Sequence, residues 1–594
     1  MNVKISFLSI LFLLLSIHIF AQTGEVEITS VLKEQFHDKE GRPLTGKGVL
    51  IGDVDSGIDI FHPMFFFADG DTLDWIDVNG DSQFTAGVDG IDLNRDGKIS
   101  KDETLRFVKM RNNTWSLVEE QNKKGFDPAF DFLYIDKNGN GKRDFGPASG
   151  FTEKDPTYGE QLYIALDANH NGRLDPGEKL VALRTSKVRA VREKDGTVRR
   201  RGVDLIYTER DSIGHGTGVA GLILGGQNGV QKIQGIAPDA EIVVASIRYD
   251  YTPRFVRNFY DLVNFVREEK ANILLFEDGE WMWEFMDGST PEEQLVDEMA
   301  REGVTAVGGA GNFATGDMMI IDTLTAAQNP VYTAECPDWV EGKLNNGVFF
   351  SFLWTDTLAD LEFSMETPDK QVSSPMNGAG DFIKVGKYNI AYARETSPKG
   401  TVMFKLGCSK SDSGAVDGTW SIHIKNPDPV IIRAYIVDIS QSWAGHSHWD
   451  SDKITGESSI TFPCTADSLI AVGAYVVNFG WFDKIGDIAN YSSKGYNING
   501  KLGVDITGPG HTTFTTETNN GYMTFSGTSS AAPHVVGAAA LLLQYNPALT
   551  STQVKQILRN SAKKDNFTGP VPNPIWGYGK LDIESAIKYV MNNY

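Results

Sequence analysis

Ser529 stands in Ser526-Gly527-Thr528-Ser529-Ser530-Ala531-Ala532-Pro533-His534, at the start of an alanine-rich run that reads as a buried helix. There its hydroxyl would meet free backbone N–H groups and the positive end of a helix dipole, which favour the oxyanion of acyl transfer. A serine nucleophile also needs a base and an acid that orients the base. His215 opens a second small-residue run, Asp211-Ser212-Ile213-Gly214-His215-Gly216-Thr217-Gly218-Val219-Ala220-Gly221. Asp55 ends the apolar stretch Gly48-Val49-Leu50-Ile51-Gly52-Asp53-Val54-Asp55-Ser56-Gly57, as expected of a buried parallel strand with a functional group at its C-terminal end. Singly these are a capping serine, a core histidine and a strand-end aspartate. In the order Asp, His, Ser, each in its own small-residue context, they point to nucleophilic catalysis.

On these three blocks the chain resembles the subtilisin-like serine proteases, the subtilase superfamily, whose triad has this order. Gly309-Ala310-Gly311-Asn312, Gly235-Ile236-Ala237-Pro238, Asn490-Tyr491-Ser492-Ser493-Lys494-Gly495, Gly508-Pro509-Gly510 and Trp576-Gly577-Tyr578-Gly579-Lys580-Leu581-Asp582 extend the likeness. The resemblance implies that Asp55 orients His215, that His215 takes the Ser529 proton, and that Asn312 with the Ser529 N–H holds the oxyanion. It implies hydrolysis of protein or peptide substrates through an acyl-enzyme. The rival reading is a weak or inactive, calcium-stapled binding or adhesion protein on a protease scaffold.

The elements that must position these residues alternate. Apolar strands at Val49–Val54, Ile242–Ser246, Ile273–Phe276, Val304–Gly308 and Ile470–Ala474 are interleaved with helical stretches Thr252–Lys270, Pro291–Glu302 and Ile583–Asn592. This pattern predicts an α/β fold, a parallel sheet with helices on both faces. A chain of 594 residues exceeds one core, and the long Asp55–His215 and Asn312–Ser529 intervals locate the surplus. The expected division is a signal peptide at 1–21, catalytic pieces at 22–70, 205–325 and 459–594, and insertions at 71–204 and 326–458.

The first insertion spaces Asp, Asn and Gly like twelve-residue calcium loops. Asp92, Asn94, Asp96, Lys98 (position 7), Ser100 and Glu103 fit throughout, as do Asp167, Asn169, Asn171, Arg173, Asp175 and Glu178. Asp136, Asn138, Asn140 and Asp144 fit in part, because Pro147 stands where the closing Glu belongs. Asp77, Asn79 and Asp81 fit least, with Ser82 in the glycine position. Plain Asx turns are the competing account. Flanking helices are not expected, so calcium here would be a structural staple. Lys187–Tyr207 reads as a basic hairpin turning at Asp195-Gly196, or as a cleavage site. The second insertion alternates at Val348–Trp354, Leu361–Met365, Tyr388–Ala393, Val402–Leu406, Thr419–Ile424 and Ile431–Val437, which predicts a β-sandwich.

The net charge of −23 excludes a general attraction to nucleic acid or anionic membranes. Three cysteines allow at most one disulfide. Lys4 and the apolar run Ile5–Phe20, ending at Ala21, read as a signal peptide, so a secreted or periplasmic protein without a remaining anchor is expected. Oligomeric state is left open. Two departures stand out from the resemblance. Glu277, Asp278 and Gly279 occupy the place of the usual Ser-Leu-Gly on the substrate-channel wall, which would favour a basic residue at the cleaved bond, unless the acids face solvent or bind an ion. Many secreted members carry an N-terminal inhibitory prodomain; between Gln22 and Asp55 there is barely room for the lead-in strand and helix of the catalytic domain, so none is expected here.

Overall fold

The computed structural model describes residues 36–113, 121–248, 258–281, 283–378, 380–426, 428–440, 442–478 and 484–594. The signal-peptide span and residues 252–257 of the expected helix lie outside the described residues.

Eight strands form the central sheet, in the order Ile506–His511, Ile470–Val476, Thr305–Gly309, Ile273–Phe276, Leu50–Asp55, Glu241–Ser246, Val188–Arg192 and Val198–Arg200. All neighbouring pairs run parallel except the last, an antiparallel hairpin. Strands Leu50–Asp55, Ile273–Phe276 and Ile470–Val476 are buried along their whole length, as a sheet covered on both faces requires. Helices His215–Leu224 and Thr528–Tyr545 carry two of the candidate residues. Helix Pro291–Arg301 starts at a capping box between Thr290 and Glu293 with Pro291 in the first turn. Helix Phe259–Glu268 covers the described part of the expected 252–270 stretch.

The first inserted segment is a five-stranded antiparallel sheet, ordered Thr72–Asp74, Lys179–Ala182, Leu162–Ala165, Phe132–Ile135 and Leu105–Val108. Alternation along its strands divides it between two cores. Phe132, Tyr134, Leu162 and Ile164 join the core that holds the catalytic helices, whereas Leu133, Ile135, Tyr163 and Ala165 close a separate cluster around Trp75 and Leu180. The Lys187–Tyr207 stretch does form a hairpin, but it lies on the edge of the central sheet, because Val188–Arg192 pairs with Glu241–Ser246. Residues 188–200, placed in the insertion by motif spacing, are therefore part of the main sheet.

The second inserted segment stacks a six-stranded sheet on a four-stranded one. Phe363 of one sheet stacks on Phe404 of the other at 4.0 Å between centroids, and Phe352 lies 5.1 Å from Phe363. This segment begins earlier than position 326, since Met319–Leu324 is an edge strand of the larger sheet. It packs onto the rest through Trp281, whose ring lies 5.1 Å from Tyr435 and 4.6 Å from Phe313. All three cysteines are buried and free, so no disulfide forms. No helix among the described residues is long and apolar enough to cross a membrane.

Candidate active site

The parallel sheet brings three chemical groups to the carboxyl ends of its strands, where α/β sheets bind ligands. Asp55 ends strand Leu50–Asp55 with its side chain 1 % exposed. His215 is the first residue of its helix, behind Gly214 in the left-handed region, and its Nδ1 lies 2.9 Å from each Asp55 carboxylate oxygen. Phe525 meets the imidazole edge-on at 5.2 Å. Asp211, to which the sequence assigned no role, holds this corner together. It accepts from the N–H groups of Ile213, Gly214 and Thr217 and from the hydroxyls of Ser56 and Thr217 at 2.8–3.1 Å. Its place four residues before His215 was the available signal. The helix reaches this corner only because it is slim: a Cβ on Gly221 would stand 2.2 Å from Thr516 Oγ1.

Ser529 is the second residue of helix Thr528–Tyr545, so its N–H has no intrahelical partner. Asn312 follows strand Thr305–Gly309, and its Oδ1 accepts from Thr528 N (2.8 Å) and Thr528 Oγ1 (3.1 Å). That fixes the carboxamide with Nδ2 toward Gly527. A Cβ on Gly527 (φ 135°) would stand 3.3 Å from Asn312 Nδ2 and 3.6 Å from Ser529 N. Glycine thus keeps open one space that two N–H donors face, which is the geometry an oxyanion needs. Asn312→Ala is expected to lower kcat by about 10²–10³ with little change in KM, because the lost donor acts only on developing charge. Steady-state kinetics on a peptide substrate checks this.

His215, Asn312, Thr528 and Ser529 line a cleft of about 260 Å³ with Glu277, Asp278, Gly279, Phe313 and Trp443. The sequence singled out neither aromatic. Trp443 comes from the second inserted segment and stands 5.2 Å from Tyr491. Glu277 and Asp278 do not turn to solvent: both Glu277 carboxylate oxygens and Asp278 Oδ2 are shielded and lack a hydrogen bond. Burial, then Asp55 and Asp53, push the Glu277 carboxyl well above the usual range, while the Ser529 hydroxyl facing it pulls the other way. Burial also lifts Asp278 to about 7. Burial works against charging His215, but Asp55, Asp278 and Asp211 overcome it and raise the imidazole. His215 and Ser529 form no hydrogen bond to each other in this structure, and Glu277 lines the same cleft as both.

The subtilase family model matches residues 46–255 and 444–579, more than half of the chain. The chain belongs to the subtilase family. The match includes Asp55, His215 and Ser529 and passes over 256–443, which holds most of the second insertion and also Asn312. Serine protease AprX of Bacillus subtilis is 33% identical over 158 residues, which is 24% of this chain and 34% of that protein. Subtilisin DY of Bacillus licheniformis is 33% identical over 132 residues, 22% of this chain and 41% of its own length. The subtilase thus spans well under half the length of these relatives. The structure of the Clostridium perfringens CspB protease shares the fold, with a TM-score of 0.62 over 93% of this chain and 96% of that one at 16% identity.

The Asp-rich loops of this subtilase repeat one hydrogen-bond plan. Asp92 accepts from Asp96 N (3.1 Å) and Gly97 N (2.8 Å), and Glu103 bridges Leu93 N (2.9 Å) and Ser100 N (3.0 Å). Asp167 takes Asn171 N and Gly172 N, with Glu178 bridging Ala168 N (2.8 Å) and Asp175 N (2.9 Å). In the Asp136 loop the bridge is Glu160, which accepts from Lys137 N (2.8 Å) and Asp144 N (3.0 Å); Pro147 only opens a short 3-10 turn. In the Asp77 loop it is Asp89, on Val78 N (2.9 Å) and Thr85 N (2.6 Å), and Ser82 adopts the positive φ (63°) of the missing glycine. Sequence spacing missed Glu160 and Asp89 because both lie off the twelve-residue register.

Among the described residues no three His, Cys, Asp or Glu side chains form a metal-holding group. The carboxylates are engaged locally instead. Asn138 and Asn140 donate to Asp144, Asn169 and Asn171 donate to Asp175, and Arg106 Nε lies 2.7 Å from Asp136 Oδ2. Lys98 N and Arg173 N donate back to Asp96 and Asn171. Glu103 also takes the Ser100 hydroxyl. The donors at positions 1, 3, 5 and 9 are nevertheless all oxygen-bearing and share one short loop, the chemistry a hard cation requires.

Proposed function

We propose that this subtilase is a secreted serine endopeptidase that cleaves protein or peptide substrates through Asp55, His215 and Ser529. The observation that carries the reading is the Asp55–His215 pair opening onto the cleft that holds Ser529, beside the two donors over Gly527. Ser529 Oγ would attack the carbonyl while its proton passes to His215 Nε2, and His215 would then protonate the leaving amine. The oxyanion would fall between Asn312 Nδ2 and Ser529 N–H. Glu277 and Asp278 on the cleft wall favour a basic residue at the scissile bond by charge complementarity, with Gly279 leaving backbone room beside them. Incubation with denatured protein, with and without calcium, followed by mapping of the cut sites, tests these points together. Cuts should follow Lys or Arg; an apolar preference rejects the acidic wall, and no cleavage at all favours a binding scaffold.

Calcium as a structural ion fits the oxygen donors of the four loops, which it would neutralise. Adding calcium at 100 times its dissociation constant is expected to stabilise the protein by about 2.7 kcal/mol per independent site. Glu160→Gln should remove part of that calcium-dependent rise in melting temperature. A loss that is equal with and without calcium would make Glu160 only a partner of the loop amides.

A further inference from the structure

Glu277 follows strand Ile273–Phe276, which pairs Phe276 with Val54, so it stands beside the strand end carrying Asp53 and Asp55. Its N–H donates to Val54 O at 3.2 Å. Asp53 and Asp55 are two residues apart on that strand and face the same side. Asp53 is fully buried and neither of its carboxylate oxygens has a hydrogen bond; Glu277 is only part-buried, but both of its carboxylate oxygens are likewise shielded and without one. The groups facing the Glu277 carboxyl are Asp53 and Asp55 from the neighbouring strand, Asp278 from its own segment, the Ser529 hydroxyl from the helix, and the Cys464 thiol. His215 faces Asp55 and Asp278. Glu277 and Asp278 line the cleft with His215, the buried Asp53 and Asp55 stand on the strand beside them, and among the described residues no lysine or arginine lines the cleft. The four carboxyls cannot all be ionised there, so protons must be retained. Asp55 is paired with His215, which leaves the retained protons to the unpaired carboxyls.

We propose that Glu277 is a further catalytic residue of this subtilase and must hold a proton: its neutral carboxyl receives the Ser529 hydroxyl beside the point of attack, and its ionised form turns the site off. The proposal rests on the peptidase reading above. During attack the Oγ–C bond forms, the serine proton moves to His215 Nε2, and the carbonyl electron pair goes to the oxygen facing Asn312 and Ser529 N–H. Glu277 keeps its proton throughout. Once ionised, it would put a second negative charge in the cleft that must accept the oxyanion, and would hold the serine hydroxyl away from His215. Complementarity to a basic substrate residue then falls to Asp278. The upward shift of the Glu277 carboxyl by burial and by Asp55 and Asp53 agrees with this. The two limbs have opposite signs. Activity rises with pH as His215 loses its proton and falls as Glu277 loses its own.

The test is the rate at which a fluorophosphonate phosphonylates Ser529 as a function of pH. The serine oxygen displaces fluoride and His215 takes the proton, so no peptide recognition is involved. Wild type, Glu277→Gln, Glu277→Ser and Asp278→Asn are compared, with Ser529→Ala as the unlabelled control and melting curves for each. The wild-type rate should fall tenfold per pH unit beyond its alkaline limb, and both neutral Glu277 variants should lose that limb. An unchanged limb in Glu277→Gln, or its loss in Asp278→Asn alone, overturns the proposal while sparing the peptidase reading. Absence of labelling in wild type at every pH overturns both. Wild type labelled with [13C]glutamate supplies a variant-free check: one glutamate carboxyl must remain protonated through neutral pH, and its absence overturns the assignment.

Discussion

Ser529→Ala is expected to lower kcat/KM for a peptide substrate by roughly 10⁶, because triad members act as a unit and removing the nucleophile removes the acyl-enzyme route altogether. The variant should keep its fold. Ser529 is only half-buried, and the helix it opens is held by sixteen buried residues, from Thr528 to Gln544, that the substitution leaves in place. The stability change should stay within about 0.5 kcal/mol, the range for positions outside a packed core. Non-additivity is the sharper part of this expectation. His215→Ala alone should cost nearly as much, and the double variant no more than either, since each single change already breaks the proton transfer. Kinetics of the two single variants and the double variant, with melting curves, check it. Additive losses would mean that Ser529 and His215 do not act in one step.

How far the sequence reached can be traced through particular residues. Strand Val348–Trp354 and helix Pro291–Arg301 lie where local pattern placed them, the first by its short aromatic-rich stretch between turns and the second as a helical stretch that begins at Pro291. Asp55, His215, Asn312 and Ser529 were legible because each sits in a short run whose small residues are demanded by close backbone approach, as at Gly221 and Gly527. What escaped is non-local. Nothing near Val188 tells that its strand joins Glu241–Ser246 rather than the inserted sheet, since an edge strand reads alike in either place. Glu160 closes the Asp136 loop from beyond Pro147, so a twelve-residue register cannot reveal it. The acids at 277 and 278 were visible as letters, but the shielding of both Glu277 oxygens and of Asp278 Oδ2 arises only when strands from distant segments meet. Trp443 reaches the cleft from a different inserted segment for the same reason.

Asp55→Asn is expected to lower kcat/KM by roughly 10⁴. Both Asp55 oxygens lie 2.9 Å from His215 Nδ1, so the carboxylate accepts the Nδ1–H and leaves Nε2 bare to receive the serine proton. Asparagine is nearly the same size, yet it can place an N–H₂ donor against Nδ1, which favours the opposite tautomer and blocks Nε2. Asp55 also acts on the neighbouring charges. Its loss removes the main influence that raises His215 against burial, so the acid limb should move to lower pH. It equally removes a charge that pushes Asp53 and Glu277 up, so the alkaline limb should move down as well. The whole bell-shaped profile is therefore expected to slide toward acid while its height collapses. Ser56 N, which now donates to Asp55 Oδ1 at 2.5 Å, can still find the asparagine oxygen, so the strand end should keep its shape. A pH–rate profile and a melting curve of the variant decide the matter. A loss below tenfold, or an acid limb that stays in place, would show that Asp55 does not control the tautomer and charge of His215.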